Sequence, residues 1–553
     1  MASVLAKSCL PNPFYYLDNF QRVLDWIAQR YSDLLTAEEQ AFIDCFGTLP
    51  QASQALLVRL VMRKGTLFRR SKLCYAEIGR LDAAVQPLIE QGWLVHDPLI
   101  CIDDLFGLLK KAEVISTFDF NAHAKSLRKA ELLEQVHAAF ADSRPFSVWA
   151  SELEDSIYQI RIADWCERLR LMFFGNLYQN WSEFVLSDLG IYRYEQVEFS
   201  SAARGFMSRQ DVDDTLHLHR CRERFDQGEA LDDILRDIPS IAFTNPWIEG
   251  RRNKLLFKLA YQYERRGESD TALDLYRQCS YPEARLRQIR VLERSGNIDD
   301  AYALAQLASH TPESEAEQQA LLRILPRLTK KIGLAKPLPI KRTAIERIDL
   351  TLPCPTQSAS VEHLVCTHYS CEQAPTLYVE NTLINSLFGL LCWQAIFAPL
   401  PGAFFHPFHQ GPADLHSPDF YPRRADLFAT CLRQLDNDAY RDTILQTFHA
   451  KHGIQSPFVF WNAIDEALLT LALTCLPAAH LKKWFERILQ DIPSNRSGFP
   501  DLIQFWPQEN RYRMLEVKGP GDRLQDNQIR WLDYCVAHAM PVAVCYVQWE
   551  EAS

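Results

Sequence analysis

The sequence predicts a mostly α-helical, multidomain protein that ends in a smaller α/β domain. Three patterns indicate this fold class. Apolar residues recur at helical spacing near the start, a helical repeat lies in the middle, and a strand–turn–strand–helix–strand pattern lies close to the end. At 553 residues the chain is long enough for several domains, and we divide it into residues 1–53, 54–145, 146–345 and 346–553.

The first two predicted domains are helical, with a winged-helix-like module in the second. Helical spacing in residues 1–53 is carried by Leu17, Phe20, Val23, Leu24 and Ile27. Residues 54–94 read as helix, loop and helix, which suits a winged-helix-like fold. Residues 102–136, with Lys125, Arg128 and Lys129, continue this region and are similar to a SAP-type helical DNA-binding motif.

The loop of the winged-helix-like module is strongly basic. Basic side chains with a nearby aromatic suit a groove that follows a DNA backbone. The alternative is a solvated helix face, but no acid lies among the basic residues in sequence. We therefore predict DNA contacts from Arg59, Arg63, Lys64, Arg69, Arg70, Lys72 and the aromatic Tyr75.

The third predicted domain is a stack of helical hairpins. Glu264-Arg265-Arg266-Gly267 with Ala272 returns as Glu293-Arg294-Ser295-Gly296 with Ala301. The repeat resembles tetratricopeptide hairpins, with Gly at the tight turn and Ala where helices pack closely. Binding of peptides is the usual role of such a stack. A basic linker with Lys336, Lys341 and Arg342 is expected to lead into the last domain.

Arg251, Arg252 and Lys254 open the first of these hairpins. A helix N-terminus adds partial positive charge to such a cluster, so the three side chains form a candidate pocket for a terminal 5′ phosphate.

The fourth predicted domain contains a β-hairpin followed by a crossover helix. Residues 502–506 read as an apolar strand, 507–510 as a turn and 512–518 as the returning strand. A helix over 522–539 and a buried strand over 541–547 follow. Strand, helix and strand imply parallel pairing through a right-handed crossover, so the domain is α/β.

The hairpin gathers three polar side chains that suit phosphodiester cleavage. Side chains alternate along a strand, so Glu516 and Lys518 share one face, and the hairpin brings Asp501 near them. Carboxylates hold divalent metal, the Val517 carbonyl is a further oxygen ligand, and a lysine can polarise water. A turn aspartate and a solvated edge pair are the alternatives. Gln528, on the following helix, either reaches this site or pairs within the core.

Composition excludes some functions. The chain is 47% hydrophobic and 23% charged, contains no apolar run of membrane-spanning length, and starts without a secretory signal, so we expect a cytoplasmic protein.

Its 15 cysteines are scattered and are expected to be reduced. The net charge of −11 argues against a general coat of positive charge, so nucleic-acid binding has to depend on local basic patches. The histidines of 399–422 fall in a proline-rich, irregular loop.

The carboxylate–lysine set resembles the virus-type replication-repair nuclease domain (VRR-NUC) of the restriction-endonuclease-like PD-(D/E)xK enzymes. The longer string 516–524, with Gln528 and Trp531, is similar to the Fanconi-associated nucleases. The likeness extends to 14–17, 57–64, 72–78 and 387–397, and so covers nearly the whole chain.

The resemblance implies a structure-specific DNA nuclease that acts on 5′ flaps and 5′ ends in interstrand crosslink repair, with one or two Mg²⁺ or Mn²⁺ ions. It implies metal ligation by Glu380, Asp501, Glu516 and the Val517 carbonyl, with Lys518 as the catalytic lysine. Glu380 falls in an apolar run over 376–397 that we predict to be helical. A carboxylate there lies either on the wet face of the helix, which the sequence alone slightly favours, or is a buried ligand, which the resemblance favours. The resemblance also favours Arg251 as the 5′-phosphate contact.

The family likeness further implies the cellular setting. The chain resembles a bacterial form that acts on the nucleoid, because the ubiquitin-binding zinc finger of eukaryotic members has no counterpart near its start. We expect DNA as the main partner, with repair proteins on the helical domain. A scaffold with a non-catalytic nuclease fold and an RNA-directed nuclease are the alternatives.

Overall fold

The computed structural model describes residues 12–118, 120, 126–140, 142–179, 183–184, 192–199, 204–334, 344–355 and 359–550. Lys125 and the predicted linker residues Lys336, Lys341 and Arg342 lie outside the described residues. Chain contacts define two compact units: residues 1–191 with 206–216, and residues 192–205 with 217–553. Within the described ranges, no helix is long and apolar enough to cross a membrane.

The first unit consists of helices and two small sheets. Its elements are α1 (Tyr15–Tyr31), α2 (Ala37–Phe46), α3 (Gln51–Val61), β1 (Leu67–Arg69), α4 (Leu81–Glu90), β2 (Leu94–His96), β3 (Leu99–Ile100), α5 (Ile102–Leu108), α6 (Lys111–Thr117), α7 (Lys129–His137), β4 (Arg144–Pro145), α8 (Phe146–Trp149), β5 (Ile157–Ile160) and α9 (Ala163–Phe174). Helix α10 (Arg209–Asp226) begins in this unit and ends in the second.

Helices α3 and α4 and an antiparallel sheet form the predicted winged-helix-like module. The sheet has the order β1-β5-β2, with Leu67 opposite Gln159 and Leu94 opposite Ile160. Its central strand β5 comes from beyond the SAP-like helices, so the chain returns to complete the wing. The SAP-like helices have a core of their own, built on Leu105, Leu132 and Trp149.

The middle of the chain is helical, as predicted. The helices are α11 (Leu231–Asp237), α12 (Pro246–Arg266), α13 (Ser269–Arg277), α14 (Ala284–Arg294), α15 (Ile298–His310) and α16 (Glu315–Lys331). Gly267 follows the last residue of α12 and has a φ of +83°, and Gly296 lies in the turn after α14 and has a φ of +87°. Glycine adopts such angles without strain. Ala272 and Ala301 are fully buried. These features confirm the predicted helical hairpins.

The C-terminal domain is a five-stranded mixed sheet surrounded by helices. Its elements are β6 (Glu346–Leu352), α17 (Val361–Tyr369), β7 (Thr376–Tyr378), α18 (Leu383–Leu391), α19 (Trp393–Ile396), α20 (Phe420–Arg423), α21 (Ala425–Arg433), α22 (Ala439–Lys451), α23 (Glu466–Cys475), α24 (Ala478–Gln490), α25 (Ile492–Asn495), β8 (Leu502–Trp506), β9 (Arg511–Lys518), α26 (Asp526–Ala537) and β10 (Val542–Trp549). Short 3₁₀ turns lie at Ser32–Leu34, Arg70–Lys72, Gln434–Asp436 and Pro507–Glu509.

The sheet has the strand order β6-β10-β9-β8-β7. Strand β10 is parallel to both β9 and β6, while β8 is antiparallel to β9 and β7. The predicted hairpin and the predicted parallel crossover are therefore confirmed. Residues alternate between two buried faces: Leu515 and Val517 pack in one core, and Met514 packs in the other.

Two predicted elements differ from their predicted bounds by more than two residues. The run 376–397 is not one helix: it divides into strand β7, a turn that contains Glu380, and helix α18. Short apolar runs are compatible with either type of structure, and here pairing of β7 with β8 decides for the strand. The helix predicted over 522–539 begins later, at Asp526, because Asp522 accepts a hydrogen bond from the Gly519 N–H and closes a turn.

Candidate active site

The start of β8 and the end of β9 meet at Asp501. Its side chain is buried, with 6% of the residue exposed, and its Oδ2 atom accepts a hydrogen bond of 2.8 Å from the Val517 N–H. Its backbone carbonyl accepts a second bond, from the Val379 N–H at the end of β7. Asp501 therefore connects three neighbouring strands, which is where the hairpin prediction put it.

Glu516 and Lys518 lie side by side on β9, as their alternation predicts. The Lys518 Nζ atom is 2.8 Å from Glu516 Oε1, and Glu516 is fully buried. Among the described residues, neither carboxylate oxygen of Glu516 receives an aligned hydrogen bond, so the lysine contact is an ion pair without hydrogen-bond geometry. A buried carboxylate with so few donors is costly unless another cation completes its surroundings.

Burial and mutual repulsion raise the pKa of both acids. Desolvation, followed by the charge of Asp501, raises the pKa of Glu516 to about 8, against an opposing effect of Lys518. Desolvation likewise raises the pKa of Asp501 to about 6, although the Val517 N–H lowers it. These shifts have the causes expected when carboxylates are buried close together, and such perturbed acids cluster at functional sites.

Glu380 reaches the same site from the turn after β7. Its charge raises the pKa of both Asp501 and Glu516, so the three carboxylates lie within one another's electric field. The Tyr378 hydroxyl donates to Glu380 Oε2, and the Asn381 amide donates to Oε1 at 3.0 Å. Glu380 is thus a half-buried acid held by two neighbours, and it does not sit on the wet face of a helix.

A fourth carboxylate, Glu362, was missed by the sequence reasoning. It lies in the first turn of α17, and its charge raises the pKa of Asp501 and of Tyr378. The start of α17 abuts the end of β9, because a Cβ atom on Gly519 would meet Val361 Cγ2 at 3.3 Å. The only sequence signal was an acid in the first turn of a helix, which usually serves the helix dipole alone.

The carboxylate oxygens of the site suit a hard divalent cation, although those of Glu380 and Asp501 already accept hydrogen bonds from the protein. In the part of the chain that the structure describes, no three His, Cys, Asp or Glu side chains are grouped closely enough to hold a metal ion. The oxygens of Glu380 accept hydrogen bonds from Tyr378 and Asn381. Asp501 Oδ2 accepts from the Val517 N–H, and Lys518 lies beside Glu516. The unsatisfied oxygens of Glu516 and the oxygen-only donor set nevertheless fit Mg²⁺ or Mn²⁺ better than a softer metal.

Gln528 serves neither of its two predicted roles. Its Oε1 atom accepts a 2.8 Å hydrogen bond from the Gln525 N–H, and the Gln525 side chain reciprocates in a capping box. Gln528 therefore caps the start of α26.

Three of the predicted DNA-binding arginines of the winged-helix-like module form ion pairs: Arg59, Arg69 and Arg70. Arg69 is buried and donates to Glu113 at 2.6 Å and Asp155 at 2.8 Å. Arg70 pairs with Asp82 at 2.8 Å on the surface. The prediction for Arg69 is wrong, because folding brings in acids from distant parts of the chain that the local sequence lacks.

Two basic residues of this module, Arg59 and Arg63, lie beside an aromatic ring. Arg59 and Arg63 lie 5.4 and 5.5 Å from the centre of the Tyr75 ring, although Arg59 also pairs with Glu77. Arg63 and Lys64 are exposed. The predicted combination of cations with an aromatic residue thus exists, on a smaller scale than the sequence indicated.

One of the three predicted phosphate contacts at the start of α12 is a structural residue. Arg252 is 3% exposed and donates to the carbonyls of Pro239 and Ser240 and to Glu249, so it is a structural residue and the prediction of a phosphate contact is wrong. Arg251 stacks on Trp247 at 3.9 Å. Lys254 is exposed.

Lys254 belongs to a cationic cluster that the sequence did not reveal. Burial first, and then the charges of Arg496 and Lys254, lower the pKa of His416. Because these charges act on one imidazole, residues from helix α12, from the 399–422 loop and from the segment before Asp501 lie near one another. The three are far apart in sequence, so no local pattern predicted them.

Comparison with known proteins identifies the class of domain and then the family. The VRR-NUC domain matches residues 435–549, which contain the carboxylate–lysine strand, so the C-terminal domain is a nuclease domain of this class. The "FAN1, HTH domain" matches residues 14–95, and the "Fanconi anemia-associated nuclease SAP domain" matches residues 99–149.

Whole-chain relatives give the family. The chain is 57% identical over 540 residues to the "Fanconi-associated nuclease 1 homolog" of Pseudomonas aeruginosa, covering 98% of this chain and 97% of that protein. A homolog from Arabidopsis thaliana is 24% identical and matches 97% of this chain and 67% of its own length. A crystal structure of paFAN1 bound to 2-nucleotide 5′ flap DNA with a gap superposes with a TM-score of 0.93 at 56% identity, covering 99% of this chain and all of that one.

This chain belongs to the Fanconi-associated nuclease family, and it is a nuclease that depends on a divalent metal ion. The sequence prediction of fold class, enzyme class and family is thereby confirmed.

Proposed function

We propose that this nuclease is structure-specific, cleaves DNA at 5′ flaps and trims from 5′ ends with Mg²⁺ or Mn²⁺, and acts in interstrand crosslink repair. The convergence of Glu380, Asp501, Glu516 and Lys518 on one sheet edge carries the proposal. The whole-chain likeness to a structure bound to 5′ flap DNA supports the choice of substrate.

Each residue of the site has a proposed role. Glu380, Asp501, Glu516 and the Val517 carbonyl hold one or two divalent ions. A bound ion supplies charge stabilisation at the phosphate and at the leaving 3′ oxygen. Lys518, whose ammonium lies beside Glu516, orients the attacking water and neutralises charge that builds up on the phosphate.

The proposed DNA contacts are exposed or half-buried side chains that folding leaves near aromatic or cationic neighbours. Arg63, Lys64 and Tyr75 contact the backbone of the duplex. Arg251 and Lys254 bind the terminal 5′ phosphate, and His416 and Arg496 lie nearby, although the Arg496 guanidinium also donates to the Pro457 carbonyl. Burial, followed by the charges of Arg496 and Lys254, lowers the pKa of His416, and the two neighbouring cations support an anion as the partner.

The domain division and setting are part of the same proposal. The chain divides after residues 53, 145 and 345. The second domain binds DNA, and the third is a rigid spacer that also contacts repair proteins. The fourth domain cleaves the phosphodiester bond. The family profiles support a start of the DNA-binding module as early as residue 14. The enzyme acts on the nucleoid in the bacterial cytoplasm.

Substitution of Asp501 tests the proposal. Asp501→Ala is expected to abolish Mn²⁺-dependent cutting of a purified 5′ flap while DNA binding persists. Glu509→Ala is the matched control, because Glu509 is an exposed acid in the same domain that pairs only with Arg511 among the contacts described. Unchanged cutting by Asp501→Ala would refute the catalytic assignment. Inactivity of the wild-type protein with intact DNA binding would favour the scaffold, and preference for a matched RNA flap would refute the DNA assignment.

A further inference from the structure

One asparagine connects the two remote acids of the site. The Asn381 Nδ2 atom donates to Glu380 Oε1 at 3.0 Å. The Oδ1 atom of the same amide accepts from the Gly498 N–H at 2.7 Å and from the Phe499 N–H at 3.1 Å. The segment 498–500 leads directly into Asp501, so a single planar amide bridges the chain segments that supply Glu380 and Asp501.

We propose that Asn381 is a positioning residue that sets the place of Glu380 relative to Asp501 and so determines the affinity of the site for divalent metal. The inference rests on the proposed metal ligands. A ligand carboxylate that is hydrogen-bonded by the protein is held in one orientation, and loss of such a partner commonly weakens metal binding about 10–100-fold.

The backbone at Asn381 is adapted to this role. Its φ is +53°, in the left-handed region that asparagine tolerates better than most residues. This conformation turns the chain sharply after β7, so that the carboxylate of Glu380 and the amide of Asn381 both come to the side of the 498–499 segment. Replacement with glycine preserves the turn and removes only the amide.

The opposite side of the bridge is also fixed. Gly498 has a φ of +96°, and a Cβ atom there would lie 2.7 Å from the Asn527 backbone carbon of helix α26. The segment before Asp501 is therefore packed directly against the start of this helix. Because the close approach of Gly498 to α26 limits movement of this segment toward the helix, its N–H groups anchor the amide with which Asn381 holds Glu380.

A neighbouring asparagine provides a control for structure alone. Asn385 is buried, and its Nδ2 atom donates to the carbonyls of Asn381 at 2.7 Å and Arg496 at 2.9 Å. It joins the same two chain segments, but its amide donates to backbone oxygens and not to Glu380. Substitution of Asn385 removes two buried hydrogen bonds and leaves the hydrogen bonds of the Glu380 carboxylate in place.

The experiment is a calorimetric titration of the purified full chain with MnCl₂, without DNA. Asn381→Gly is expected to weaken Mn²⁺ binding by about tenfold or more. Asn385→Ala should lower the melting temperature and leave Mn²⁺ affinity within about twofold of wild type, since no ligand loses a partner.

A double-mutant cycle with Glu380→Gln separates positioning from general loosening. If Asn381 acts through Glu380, Asn381→Gly should have little further effect on Mn²⁺ affinity in the Glu380→Gln background. Three results would overturn the proposal: affinity of Asn381→Gly within twofold of wild type, an undiminished effect in the Glu380→Gln background, or an equal loss in Asn385→Ala. Wild-type affinity in Glu380→Gln itself would instead refute the ligand assignment of the proposed function.

Discussion

The affinity of the site for divalent metal should depend steeply on pH. The pKa of Asp501 is raised to about 6 and that of Glu516 to about 8, in both cases chiefly by burial. Between these pH values the pair binds one proton, which it must release when both carboxylates ligate a cation.

The magnitude follows from proton competition. One proton displaced per ion changes the affinity by about tenfold per pH unit, or about 100-fold between pH 6 and pH 8, with affinity lost as the pH falls. Below pH 6 a second proton is displaced and the dependence should become steeper. Above pH 8 both acids are ionised and the affinity should level off.

The same shifts fix the sign of the effect on stability without metal. The folded-state pKa of each acid lies above its ordinary value, so the folded protein binds more protons than the unfolded chain at intermediate pH. The free energy of unfolding should therefore decrease as the pH rises from about 4 to about 8, and saturating Mn²⁺ should offset this decrease.

Calorimetry of Mn²⁺ binding between pH 6 and pH 8.5, repeated in buffers of different ionisation enthalpy, measures both affinity and protons released. Glu509→Gln is the control and should behave as the wild type, because this exposed acid lies at the tip of the β8–β9 hairpin. Affinity that does not vary with pH, or binding that releases no proton at pH 7, would refute the reasoning from the pKa shifts.

Three further substitutions separate stability from DNA binding. Arg69→Ala should cost about 3–5 kcal/mol of unfolding free energy in urea, because it leaves the buried Asp155 and the half-buried Glu113 without their cation; a loss under about 1 kcal/mol would contradict the structural role. Arg63→Ala should leave stability unchanged and reduce the salt dependence of duplex binding by about one ion, and an unchanged slope would remove it from the interface. Lys254→Ala should reduce the preference for a 5′-phosphorylated flap about tenfold, with cutting of unphosphorylated DNA retained; equal loss on both substrates would count against a phosphate pocket.

Local patterns predicted the chemistry of the C-terminal domain well. Strand β8 begins and ends where alternation and turn residues put it, and the crossover to a parallel β10 follows from the order strand, helix, strand. The positions of Glu516 and Lys518 on one face depend only on the two-residue period of a strand. These features depend on residues that are close together in the sequence, and local patterns therefore predict them.

The failures of prediction involve partners that are distant in sequence. Arg69 appeared to be a DNA contact because no acid lies near it along the chain, yet Glu113 and Asp155 neutralise it in the fold. Arg252 is taken up by backbone carbonyls, which have no sequence signal at all. Packing decides such pairings.

The acids of the site illustrate the same limit. Glu380 could be assigned only through the family resemblance, because the apolar run around it is compatible with a strand or a helix. Glu362 has only the signal of an acid in the first turn of a helix and Asn381 has none, since their importance depends on the approach of helix α17 to β9 and of the β7 turn to Gly498.

The central claim is that Glu380, Asp501 and Glu516 bind the same divalent ion, although they come from separate parts of the chain. Diffraction from crystals grown with Mn²⁺, recorded near the manganese absorption edge, tests it directly. We expect an anomalous peak in contact with all three carboxylates and with the Val517 carbonyl. A peak elsewhere, or a Glu380 carboxylate turned away from Asp501 with no ion between them, would contradict the account.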